Sequence, residues 1–157
     1  MYRRILVPLD HSAADQAILQ HVRRLAPRLG ASVVLLHVSD GWAARNLRQL
    51  NLRESDEMRS DRSYLERTCA ELAAEGIETD AVLGAGSAAA EIVATAEREG
   101  CDLIAMGTHG HRLLGDLLHG SVATEVRHRS MIPVLMVRAT TGDMRTDSVS
   151  EAARKEE

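Results

Sequence analysis

The chain has 157 residues, a formal net charge of −4 and 45% apolar residues, the proportions of one globular domain with a substantial core. Phe is absent and aromatic residues make up 2% of the chain, so the core is expected to be aliphatic and the stacking platforms of single-stranded nucleic-acid binders are missing. The net negative charge gives no footprint for DNA or RNA, and the apolar runs are too short to span a bilayer. Met1 leads within four residues into a strand-like run, which leaves no room for a signal peptide, and a cytoplasmic protein is the expectation.

Strand-like and helix-like segments alternate. Arg4 to Leu9 reads as a short buried strand. Ser12 can cap a helix whose apolar positions Ala14, Ala17, Ile18, Val22, Leu25 and Leu29 follow helical period, with Pro27 expected to bend or shorten its last turn. Gly30 closes that helix, and Ala31 to Val38 is a second strand. Residues 39–56 form an irregular charged stretch around Trp42. Met58, Leu65, Cys69 and Leu72 mark a second helix ending at Gly76, followed by a weaker strand from Ile77 to Leu83 and a third helix from Ser87 to Glu99. A strand at 102–106, a glycine segment, a helix near 121–130 and a strand at 132–138 complete the pattern. Residues 139–157 are polar and read as a mobile tail. Five strands separated by helices predict a single-domain α/β fold with an open parallel sheet.

The glycine segment carries the most functional information. Gly107-Thr-His-Gly110, nine further residues and Gly120-Ser121 follow the apolar run Asp102 to Met106 and precede a helix. Glycines let backbone N–H groups approach an anion, and a helix N-terminus adds its positive dipole end. Taken separately these are turn glycines and a helix start; together, after a buried strand, they predict a phosphate cradle. Lys155 is the sole lysine and sits in the tail, so such a cradle must rely on backbone amides, hydroxyls or arginine.

Ligands of open parallel sheets bind at the carboxyl ends of the strands, where strand order reverses. If the first and fourth strands flank that point, Asp10 faces the glycine segment across one crevice. Its carboxylate suits two ribose hydroxyls or a magnesium ion there, and it suits equally well the cap of the first helix. Gly84-Ala-Gly86-Ser-Ala-Ala89 fits a dinucleotide fingerprint formally. It follows the third strand and lacks the ribose-binding acid at the end of the next one, so it reads as a turn and a close-packed helix start.

Five histidines, His11, His37, His109, His111 and His119, fall near strand ends or in the glycine segment. His109-x-His111 is a possible metal pair, but no ligand spacing recurs, and solvated or hydrogen-bonded histidines are expected, with the identity of any metal ligand left unassigned. Cys69 and Cys101 read as small buried hydrophobes. Leu113, Leu114, Leu117 and Leu118 are expected to fold the spacer onto the domain or a partner. No nucleophile has an adjacent base, and neither a Gly-x-Ser-x-Gly elbow nor a Walker lysine is present.

With these residues assembled, residues 2–138 resemble the universal stress protein family. The resemblance rests on Ile5 to Asp10, Leu35 to Val38, Asp102 to Gly110, Gly120-Ser121-Val122 and Ile132 to Val137, and includes the Gly-x-x-Gly, nine, Gly-Ser motif of the nucleotide-binding members. It implies a Rossmann-like sheet of strand order 3-2-1-4-5 with helices on both faces, a domain over residues 1–138, and an adenine nucleotide (ATP, ADP or AMP, with or without Mg) in the crevice. By that analogy Asp10 meets the ribose, backbone around Leu9 and Val38 meets adenine, Gly107, Gly110, Gly120, Ser121 and Val122 cradle the phosphates, and Pro8 and Met106 are among the nucleotide-binding residues. Ala123 departs from members with a hydroxyl there. The family implies a homodimer through strand 132–138 and a stress-response or regulatory role. Two alternatives use the same pocket: slow Mg-dependent ATP hydrolysis, and an interaction module whose surface, residues 39–56 and 111–119, is gated by nucleotide.

Overall fold

A computed structural model describes residues 1–39, 56–108 and 121–139. Strands β1 (Arg4–Pro8), β2 (Ser32–Ser39), β3 (Thr79–Ala85), β4 (Leu103–Thr108) and β5 (Val134–Arg138) alternate with helices α1 (Ala13–Leu29), α2 (Asp56–Ala74), α3 (Ala88–Arg98) and α4 (Ser121–Arg129). The strands form one parallel sheet of order β3-β2-β1-β4-β5. β1 is central, its Ile5 standing opposite Val33 of β2 and Leu103 of β4.

Helices cover both faces, which is why β1 and β2 read as continuous apolar runs with no alternation. One face packs Ile5, Val7, Leu9, Val33 and Leu35 against Ile18 and Val22 of α1 and Leu65 and Leu72 of α2. The other packs Leu6, Val34, Leu36, Ile104 and Met106 against Ile92 and Ala96 of α3 and Val126 of α4. The core is aliphatic, as the composition requires.

Three helices end by one device. Gly30, Gly76 and Gly100 have φ between 62° and 83°, a region that costs a side chain dearly, and each N–H bonds back to the carbonyl three residues earlier. The next residues, Ala31, Ile77 and Cys101, return N–H groups to Ala26, Leu72 and Ala96 and are buried. This corrects the expectation that β3 starts at Ile77: that residue closes α2, and pairing with β2 begins at Thr79. Pro27 does not shorten α1, which runs on to Leu29. In the last turn its missing N–H forfeits a single helical bond. β4 likewise does not stop at Met106, because Gly107 and Thr108 pair with Val137 and Arg138.

Cys101 is a small buried residue as expected, whereas Cys69 is only half-buried. Burial pushes the Cys101 thiol up to about 11 and also raises that of Cys69, whose Sγ donates to the Thr79 carbonyl at 3.0 Å. Among the described residues no helix is long and apolar enough to cross a membrane. The segments 40–55, 109–120 and 140–157 lie outside the described residues, and with them the expectations for Trp42, the loop histidines, the spacer leucines and the tail.

Candidate functional site

β1 connects to β2 on one side, while β4 lies on its other side, so strand order reverses between β1 and β4. A cleft of about 190 Å³ opens at that point. Pro8, Leu9, Asp10, Val38, Met106, Gly107 and Val122, all singled out from sequence, line it. Ala123, noted from sequence as a departure from the family pattern, also lines it, and Ala14, Asp15, Leu36, Ala88 and Ile92, which sequence reasoning did not select for the site, complete the lining. Ser121 is the first residue of α4, beside Val122, and is not part of that lining. Gly110 and Gly120 lie outside the described residues.

Gly107 has a role in the fold itself. A Cβ at this position would run into the Ala14 carbonyl oxygen and come within 2.9 Å of its carbon. β4 therefore passes α1 at backbone contact, and only glycine fits.

The β1–α1 loop is built by side chains folding back onto it. Ser12 caps α1, its Oγ accepting from the Ala14 N–H at 3.3 Å. Asp10 is exposed, and its Oδ1 accepts from the Ser12 N–H at 3.1 Å, so it supports the start of the helix while its carboxylate stays at the cleft. Leu9 donates its N–H to Leu36 O at 2.8 Å, and its carbonyl accepts from the His37 ring at 2.9 Å.

Asp15 is the residue sequence reading missed. It is 4% exposed, and its two oxygens accept from Asp10 N at 3.1 Å, His11 N at 2.9 Å and Tyr64 Oη at 2.8 Å. Burial raises its pKa to about 6, against the pull of these donors. Burial and the adjacent carboxylate also hold the Tyr64 phenol protonated, above its ordinary range. The signal was present: Ser12-Ala-Ala-Asp15 is a capping-box pattern, with the acid three residues after the cap. Here the acid reaches further back, to the two residues before the cap. It holds His11 at φ 62°, the one non-glycine residue with positive φ among those described.

The Gly84–Ala89 stretch is not a dinucleotide loop. Gly84 pairs within β3, and Gly86 turns at φ 114° with its N–H on Ser39 O. His11 and His37 meet near Asp61 at the same end of the sheet, beside the β1–α1 loop.

The comparisons agree with this architecture. The universal stress protein family model matches residues 1–138. A universal stress protein of Methanocaldococcus jannaschii is 31% identical, over 88% of this chain and 96% of its own length. The solved structure of that protein superposes with a TM-score of 0.71 at 32% identity, covering 90% of this chain and 99% of its own. A universal stress protein of Archaeoglobus fulgidus, solved in complex with dAMP, has a TM-score of 0.62 at 21% identity, covering 87% and 98%. A universal stress protein solved with cAMP has a TM-score of 0.68 at 17% identity, covering 88% and 99%. With the sheet order, the family match over residues 1–138 and the archaeal relative in agreement, this chain belongs to the universal stress protein family.

Proposed function

We propose that the chain binds an adenine nucleotide in the cleft between β1 and β4 and acts as a nucleotide-holding regulatory protein. The observation that carries this reading is the convergence of Asp10, Val38, Gly107 and the start of α4 on one cleft at the reversal of strand order. The dAMP and cAMP complexes of distant relatives support adenine as the base. In this reading Asp10 bonds the ribose hydroxyls, and backbone at Pro8, Leu9 and Val38 faces the base. Backbone N–H groups at Gly107, Gly110, Gly120 and Val122, with the Ser121 hydroxyl and the α4 dipole, hold the phosphates near Met106. Any Mg would ride on the phosphates. Ala123 brings a methyl where a hydroxyl would help hold the outer phosphates, so ATP gains little over ADP.

The same reading includes a homodimer formed through β5. That strand is at the sheet edge, its Met136 is 48% exposed, and Val134, Leu135 and Val137 are half-buried. An apolar open edge invites pairing, and a two-fold axis covers both copies at once. The test of the nucleotide itself is mass analysis of the small molecules released by denaturing natively purified protein. An adenine nucleotide close to one per chain supports the reading; its absence, together with failure to take up added ATP, ADP or AMP, refutes it.

A further inference from the structure

Beside the β1–α1 loop, three side chains from that loop, β2 and α2 converge. His11 follows β1, His37 stands near the end of β2, and Asp61 projects from the second turn of α2. His37 Nε2 is 3.2 Å from Asp61 Oδ2, and His11 Nε2 is 3.3 Å from Asp61 Oδ1. One ligand atom from each residue lies within 4.8 Å of the others.

The proton arrangement decides what this cluster is for. His37 Nδ1 contacts the Leu9 carbonyl at 2.9 Å, and a carbonyl only accepts, so Nδ1 carries the proton. In neutral His37 the Nε2 lone pair then points at a carboxylate oxygen that is also electron-rich. At 3.2 Å either a proton on Nε2 or a metal ion joins the two. Asp61 and His37 side chains are 10% and 13% exposed, so bulk water screens the repulsion poorly.

We propose that His11, His37 and Asp61 bind a divalent transition-metal ion of the Zn²⁺ class. Two imidazoles and one carboxylate are a donor set of zinc sites that keep a position open, and bond lengths of about 2.0–2.1 Å place tetrahedral ligand atoms roughly 3.3–3.4 Å apart. The His37 Nε2–Oδ2 separation of 3.2 Å is close to that edge, while His11 Nε2 lies 3.3 Å from the other oxygen, Oδ1, so a shared ion requires a small rotation of the carboxylate or of His11. The outer shell is also in place: Leu9 O fixes the His37 tautomer, and Ser39 Oγ donates to Asp61 Oδ2 at 3.0 Å. His11 is oriented by its ring on Tyr64, centroids 4.1 Å apart, and by the backbone that Asp15 holds. At 35% exposure His11 leaves a path for the ion and a fourth position for water. Such an ion ties the ends of β1 and β2 to α2 and stiffens the loop that carries Asp10. The site is separate from the nucleotide reading and needs no nucleotide.

The test uses the full chain, freed of metal by chelation and kept nucleotide-free, titrated with Co²⁺ alone and then with Zn²⁺ in competition. One Co²⁺ per chain with the ligand-field bands of a tetrahedral N/O site is expected, displaced by Zn²⁺, which also raises the melting temperature. Ser39→Ala should weaken binding roughly 10- to 100-fold, and His37→Gln and Asp61→Asn by more. A variant with His109, His111 and His119 all changed to Asn should bind like wild type. The proposal is overturned if wild-type protein takes up neither ion at micromolar concentration, in which case a proton fills the gap. It also fails if the folded His37→Gln or Asp61→Asn protein binds as wild type does, or if the triple loop variant loses the site.

Discussion

Asp15 joins the chemistry of the β1–α1 loop to the stability of the whole domain. Its carboxylate is buried, its pKa is raised from 3.8 to about 6, and folding therefore takes up a proton between those values. The stability this group contributes is complete below about pH 4 and is lost as pH rises through about 6. A tenfold change in proton affinity is worth about 1.4 kcal/mol, so the loss reaches about 3 kcal/mol. Urea denaturation of wild type and Asp15→Asn from pH 4 to pH 7 should show wild type losing ground to the variant by up to that amount. A stability difference independent of pH would mean that Asp15 does not titrate in this range. Sequence inspection identified Asp10 as the carboxylate of the site and overlooked Asp15. An acid in the first turn of a helix ordinarily faces solvent, and only the fold reveals Tyr64, 49 residues away, closing over it.

The order and type of the elements were legible because the apolar periodicity is strong and Gly30, Gly76 and Gly100 mark three helix ends with one hydrogen-bond pattern. Boundaries were less so. Ile77 has a strand residue's composition and a helix cap's job, and Gly107 looks like the end of a strand while pairing inside one. Pairing partners decide such cases, and they are not local. Gly107 also shows how a motif glycine can serve the fold before any ligand. Because a Cβ there meets the α1 backbone at Ala14, Gly107→Ala should lower the unfolding free energy by about 1–3 kcal/mol, read as a lower urea midpoint at unchanged slope. An unchanged midpoint would show that β4 and α1 separate at no cost. The meeting of His11, His37 and Asp61 was likewise hidden, since α1 separates His11 from His37 and Asp61 lies 24 positions after His37 on the next helix described.

For the molecule as a whole, the sheet order leaves two edges, β3 and β5, and the apolar one is β5. If copies pair there, Met136→Glu places two charges in or beside the seam and should shift the protein to monomer in sedimentation equilibrium, with little change in folding because Met136 is 48% exposed. A wild-type protein that is already monomeric at micromolar concentration would remove the dimer from the account. The central claim concerns the cleft, and calorimetric titration of nucleotide-stripped protein with ATP, ADP and AMP tests it most directly. The account predicts saturable binding of one adenine nucleotide per chain, and its loss in a folded Gly120→Val variant, whose branched side chain would crowd the phosphates. No binding by the wild type, or equal affinity in Gly120→Val, would contradict it.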